Sequence, residues 1–150
     1  MLLTLSCSGE KNQKKEGFQY NRTKKEVKKE QSLSEKAPID LSNKGIGPIT
    51  DLVFESEIDE AMAENGAAIF KQKCTACHKP KGKLIGPAMQ GIYERRHPAW
   101  VMNIMLNPTE MLQKDPVAKA LLAEYNNILM INQNLTETEA RALAEYLRTL

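Results

Sequence analysis

Histidine and cysteine are scarce in this chain, two and three respectively among 150 residues. A structural zinc site takes four sulfur or nitrogen ligands, and outside one short cluster the chain offers only Cys7 and His97, which makes such a site a poor fit. No stretch of any length alternates with the two-residue period of a strand. That removes the βαβ setting in which a thioredoxin-like cysteine pair works. A net charge of +2 is too small to argue for a nucleic-acid partner, and neither a phosphate-cradling Gly-rich loop nor a Ser/His/Asp set is present. No apolar run approaches the roughly 18 residues needed to span a bilayer. One domain, or one domain and a tail, is the organisation this length allows.

What the chain does have is concentrated at Cys74-Thr75-Ala76-Cys77-His78. Cys-x-x-Cys-His is the spacing of c-type haem attachment: two thiols placed to form thioethers with the porphyrin vinyl groups, then an imidazole that can bind the iron. One covalent haem c, with its iron, is therefore the expected cofactor. A single copy of the motif excludes a multihaem wire.

The amino terminus, Met1-Leu2-Leu3-Thr4-Leu5-Ser6-Cys7-Ser8, reads as the tail of an apolar signal ending at a small residue and a cysteine. The arrangement resembles a bacterial lipoprotein signal, residues 1–7, with Cys7 as the lipidated residue. A location on the periplasmic side of a bacterial membrane is expected, lipid-anchored, or soluble in the periplasm if the signal is merely clipped. Residues 8–44 are charged and poor in apolar side chains, with basic residues crowded between Lys11 and Lys29. Such composition cannot bury enough surface to offset ordering entropy, so a disordered tether is expected there. If flexible it would reach about 35 Å.

Residues 45–150 carry the patterning of a folded domain. A short extended segment is expected over Ile46–Ile49 and Leu52–Phe54. Helical spacing then begins at Asp59, with Met62, Ala63, Gly66, Ile69, Phe70 and Cys74 recurring at three- and four-residue steps, and Ser56 with Asp59 as a candidate capping pair. A loop with Pro80, Gly82, Gly86 and Pro87 follows. Helix resumes around Trp100, Val101, Ile104 and Met105, is expected to stop at Pro108, returns as a brief turn near Met111, and again over Val117–Tyr125. Thr136-Glu137-Thr138-Glu139 is a capping box opening a last helix that buries Ala140, Leu143, Leu147 and Leu150. The fold class is all-α.

An iron held by His78 needs a sixth ligand if it is to change redox state with little rearrangement. The candidates are His97, Met62, Met89, Met102, Met105, Met111 and Met130. Met62, Met102 and Met105 lie in helical apolar patterns where Met usually fills core. His97, beside Pro98, reads as an exposed loop residue.

Residues 57–150 resemble class I cytochrome c, through Gly66-x-x-x-Phe70 leading to Cys74-x-x-Cys77-His78, then Gly82, Gly86-Pro87, a Met, and a final helix carrying Tyr146-Leu147. The resemblance implies helices packed around one haem, with Gly66, Phe70 and Tyr146 where the first and last helices cross. It implies Met130 as distal ligand, in the loop before the last helix, although Ile131 stands where the family often has Pro. It implies that the carbonyl of Pro87 accepts the second ring proton of His78, and that Trp100 and one of Arg95 and Arg96 meet the haem propionates. Lys71, Lys73, Lys79, Lys81 and Lys83 flank the attachment site, where a collar of lysines would steer an acidic redox partner.

The function expected is electron transfer between a respiratory donor complex and a terminal oxidase or periplasmic reductase, by a monomer that converts no substrate and is therefore not an enzyme. A haem sensor or peroxidase-like protein with an open iron site is the alternative.

Overall fold

The computed structural model describes residues 36–150. The helices are α1 (Glu60–Lys73), α2 (Pro98–Leu106), α3 (Pro108–Lys114), α4 (Pro116–Glu124) and α5 (Glu137–Leu147), with a single 3-10 turn at Ile92–Glu94. Among the described residues no strand forms; one isolated bridge pairs Asp40 with Arg96. The expected all-α fold is the one observed. No helix among the described residues is long and apolar enough to cross a membrane.

α1 starts where Asp59 accepts the Met62 N–H, so Asp59 caps alone and Ser56 takes no part. The acid Glu60 in its first turn and Lys71 and Lys73 in its last complement the helix dipole. α5 opens on the expected capping box: the Thr136 hydroxyl accepts from the Glu139 N–H at 3.2 Å, and the Glu139 carboxylate accepts from the Thr136 N–H at 2.8 Å.

Between them the apolar stretch is cut into three short helices, each with a proline in its first turn. A proline there loses no hydrogen bond because the first N–H groups of a helix have no partner in any case. The stop expected at Pro108 is met, since α2 ends at Leu106, and the same proline opens α3. The break falls at Asn107, whose φ of −135° and ψ of 54° leave the helical region. What reads as a brief turn near Met111 is a helix with Met111 fully buried.

The core joins Phe70 and Ile69 of α1, Trp100, Val101, Met102 and Met105 of α2, and Ala140, Leu143, Ala144 and Leu147 of α5. At the α1–α5 crossing Gly66 lies so close to Ala142 that any Cβ would strike its carbonyl oxygen. Glycine in a helix costs about 1 kcal/mol against alanine; here that cost allows two backbones to touch. One turn on, Phe70 and Tyr146 meet with ring centroids 5.4 Å apart.

The expected extended segment also forms. Ile46, Ile49, Leu52 and Phe54 pack against the core without joining a sheet. Fully buried Asn103 holds the segment, donating to Lys44 O at 2.8 Å and Ile49 O at 2.9 Å while accepting from Ile49 N–H. Further on, Phe54 meets Tyr93 edge-on at 4.9 Å, with the Arg141 and Arg148 guanidiniums over its ring. Both arginines also bind Glu145, a fully buried carboxylate that accepts in addition from the Asp59 N–H at 3.1 Å. Burial works to raise the Glu145 carboxyl, and hydrogen bonds from Arg141, the Asp59 N–H and Arg148 outweigh it and hold it below the usual range.

The boundary expected at residue 44 moves towards the amino terminus. Residues 37–43 are bonded into the domain: Ala37 N–H to the Glu124 carboxylate at 2.9 Å, Asp40 N–H to Arg95 O at 3.1 Å, and the Asn43 amide to Asp115 at 2.7 Å. Their partners are distant in sequence, so composition alone reads them as tether. The rest of the expected tether, the signal at 1–7 and Cys7 lie outside the described residues.

Candidate functional site

The Cys74–His78 cluster is a turn built on the end of α1. Cys74 caps the helix through its own N–H to Phe70 O, and both Cys77 N–H and His78 N–H return to Cys74 O, at 3.1 and 2.9 Å. The Thr75 hydroxyl donates to Lys71 O at 2.9 Å. Both thiols are free; Cys74 is half-buried and Cys77 exposed. Burial pushes the Cys74 thiol up to about 11, against a smaller opposing pull from Lys73, so that sulfur stays protonated at neutral pH.

His78 is fixed from two sides. Its Nδ1 lies 3.1 Å from Pro87 O, the contact that the resemblance implies; with the proton on Nδ1, Nε2 is the nitrogen left free as a ligand. Gly86 presses on the ring itself: a Cβ there would come within 2.5 Å of Cε1 and 2.9 Å of Nδ1. Gly86 is therefore a functional residue whose role was not visible in the sequence, although Gly-Pro at that position was its signal. The Gly86 N–H donates to Cys77 O at 2.8 Å, closing the loop back onto the motif.

Arg95 and Arg96 separate as two adjacent side chains should. Arg95 forks across Ala88 O and Gln90 O, both at 3.0 Å, and so clamps the chain just after Pro87. Arg96 turns inward to 4% exposure, donates to Pro38 O at 2.7 Å, and lies over the Trp100 ring. Its Nε has no partner among the described residues. Burial, and next to it the charge of Arg95, lower the Arg96 pKa. Trp100 corrects an expectation: its indole N–H donates to the buried Asp115 carboxylate at 3.0 Å and is not free for a propionate. Asp115 lies fifteen residues away, and nothing in the sequence pattern pairs the two.

Most distal-ligand candidates have other work. Met102 and Met105 are buried core residues, and Met62 packs against that core. The Met111 sulfur accepts the Ile46 N–H at 2.9 Å. His97 is no exposed loop residue: it caps α2, its Nδ1 accepting from Ala99 N–H at 3.1 Å, with Nε2 3.6 Å from Asp51. Met89 and Met130 are left, both half-buried against the core.

The loop bearing Met130 is tied to the attachment side at both ends. Lys73, next to Cys74, donates to Gln133 O at 3.4 Å, and Lys83 lies 4.2 Å over the ring of Tyr125. Asn126, Asn127 and Asn134 take left-handed φ values of 58°, 57° and 51°, a region asparagine tolerates better than most residues. The surface of the two loops is strongly apolar. Leu84 and Ile85 are 39% and 43% exposed on one, and Ile128, Leu129 and Ile131 are 52%, 64% and 73% exposed on the other. Isolated exposed apolar residues are ordinary; five on two linked loops beside a fixed imidazole fit a large apolar ligand such as a porphyrin. Among the described residues no group of three or more His, Cys, Asp or Glu could hold a metal ion by itself, so the residues suit a haem iron rather than a zinc site.

Comparison with known proteins agrees with this fold. The family profile described as Cytochrome c matches residues 63–150. The solved cytochrome c from Rhodothermus marinus is 43% identical over 69% of this chain and 88% of its own, with a TM-score of 0.66. An engineered form of that protein is 42% identical over 69% and 89%, with a TM-score of 0.66. The engineered form bound to a carbene intermediate, 1-ethoxy-1-oxopropan-2-ylidene, is 43% identical over 69% and 88%, with a TM-score of 0.63. No curated protein sequence gives a significant match.

Proposed function

The chain belongs to the cytochrome c family, and from that premise we propose that it is a membrane-tethered single-haem carrier moving electrons between a respiratory donor and a terminal oxidase or periplasmic reductase. Like its family it binds haem c with its iron and serves haem-based electron transfer. Relatives of this kind are generally extracytoplasmic; a lipid on Cys7 would hold this one at the outer face of the membrane that bears its partners.

When bound, the haem supplies a one-electron ferric/ferrous couple. The chain's part is to hold that couple still. Cys74 and Cys77 would hold the macrocycle by two thioethers. His78 would bind through Nε2, with its Nδ1 proton on Pro87 O and Gly86 letting the ring sit against the backbone. Met130 would supply the other iron ligand: a thioether favours the ferrous state and raises the potential, and an iron so saturated would leave no site for substrate. The protein is on this reading a carrier and not an enzyme. Arg96, with a buried Nε lacking a partner, suits a propionate better than Arg95, whose fork is engaged on Ala88 and Gln90. Leu84, Ile85, Ile128, Leu129 and Ile131 would be covered by the porphyrin faces and edge.

Lys71, Lys79, Lys81 and Lys83 are exposed around the motif, whereas Lys73 is drawn in by Gln133 O and, at 3.6 Å, by Glu139. Exposed cations around the motif, Lys83 among them although it also lies over the Tyr125 ring, suit an acidic partner and a brief encounter. The observation that carries the whole reading is the His78 ring held between Pro87 O and Gly86 directly after two free thiols. Carbon monoxide tests it: slow, weak binding to the reduced holoprotein is expected of a saturated iron. Fast, tight binding would replace the carrier by the sensor or peroxidase-like alternative.

A further inference from the structure

Residues 37–43 run along α4 in the opposite direction to it. Ala37 N–H meets Glu124 at the carboxyl end of the helix, and the Asn43 amide meets Asp115 at its amino end. α4 is about 14 Å long, and six residues of extended chain reach about 20 Å. The slack is taken up where Asp40 Oδ1 accepts from Ser42 N–H and Asn43 N–H and turns the strap. The strap's other side is fastened to the segment before α2, by Asp40 N–H to Arg95 O and Arg96 to Pro38 O. Thus α4 is held between α3, the helix it packs on, and a strap anchored elsewhere in the domain.

The last turn of α4 leads directly into the loop that bears Met130. Asn127 N–H donates to Leu122 O at 2.8 Å and Ile128 N–H to Tyr125 O at 3.2 Å. Beyond Ile128, the Leu129 and Met130 backbones make no hydrogen bond to other described residues. A shift of α4 is therefore passed to the loop with no backbone bond at Leu129 or Met130 to resist it, only the packing of Met130 on the core and the Lys73 bond to Gln133 O.

We infer that residues 37–43 are a brace that holds both ends of α4 and, through it, the loop bearing Met130, making Asn43 and Glu124 positioning residues for the distal ligand. The inference rests on Met130 as that ligand. Loss of one hydrogen bond to a carboxylate at the end of a short helix should make local opening of the loop about tenfold more frequent, with the rest of the domain intact.

The test uses the full-length holoprotein and two variants. Asn43→Asp keeps the oxygen that accepts the Gly45 N–H but removes the amide donor and faces Asp115 with a like charge. Glu124→Ala frees the other end of the brace. Each should speed carbon monoxide binding to the ferrous protein about tenfold and lower the temperature at which the sulfur-to-iron band of the ferric protein fades, well below the temperature at which helicity melts. Lys119→Ala, at an exposed position on α4 outside the brace contacts, should do neither. If in both variants band and helicity melt together, or carbon monoxide binding is unchanged, the brace has no role in ligation and the inference is overturned. Met130→Ala separates this from failure of the underlying reading: a band that survives Met130→Ala retires Met130, and one that vanishes there yet ignores the brace variants retires the brace alone.

Discussion

The α1–α5 crossing and the α4–Met130 region are built by opposite means, and the contrast separates what holds the fold from what, on the proposed function, would hold the iron. At the crossing, contacts are backbone on backbone and ring on ring: Gly66 against Ala142, Phe70 against Tyr146, Leu143 and Ala144 fully buried. Around Met130 they are single hydrogen bonds to helix ends, left-handed asparagines, and apolar side chains still open to solvent. Packing of the first kind fails all at once; support of the second kind yields locally.

The largest break in that comparison should come at Gly66. Gly66→Leu forces a side chain into the Ala142 carbonyl, and overpacking of this kind costs at least about 3 kcal/mol; no stable holoprotein should be recoverable, as judged by haem content and helicity. Glu145→Ala comes next. It leaves Arg141 and Arg148 without their shared carboxylate, and breaking such a partly buried triad should cost about 3 kcal/mol, read as a fall in denaturant midpoint. The same group sets a pH dependence. Its folded pKa lies below the ordinary value of 4.5, so its stabilisation is full above that value and disappears as pH falls through the lowered one. Melting temperature should therefore decline in acid, and Glu145→Gln should flatten the decline. A smaller effect is expected from Thr136→Ala, which removes one side of the capping box and should cost about 1 kcal/mol without altering the haem spectrum. That last pairing, stability moved and spectrum unmoved, is what distinguishes scaffold from ligand loop.

The two regions also differ in how far the sequence announced them. The Thr136–Glu139 box is a local signal and stands where its spacing placed it, while the meeting of Gly66, Phe70 and Tyr146 at the helix crossing followed from resemblance and is present. The His78–Pro87 contact followed from resemblance and is present at 3.1 Å. What stayed hidden depends on pairs far apart in the chain. Asn43 with Asp115, Ala37 with Glu124 and Trp100 with Asp115 join residues at least fifteen apart, and two of the three pairs begin in the stretch that composition assigns to a tether. The stop expected at Pro108 is local and is present: the residue before a proline is pushed out of the helical region, and Asn107 is where α2 breaks.

The central claim is that His78 and Met130 together close the iron of a single-haem carrier. Substitution of Met130 by Ala in the ferric holoprotein tests it most directly. The sulfur-to-iron charge-transfer band should vanish and carbon monoxide should bind the reduced form readily, while helicity remains that of the parent protein. A band that persists unchanged in Met130→Ala would contradict the account and move the distal ligand to Met89.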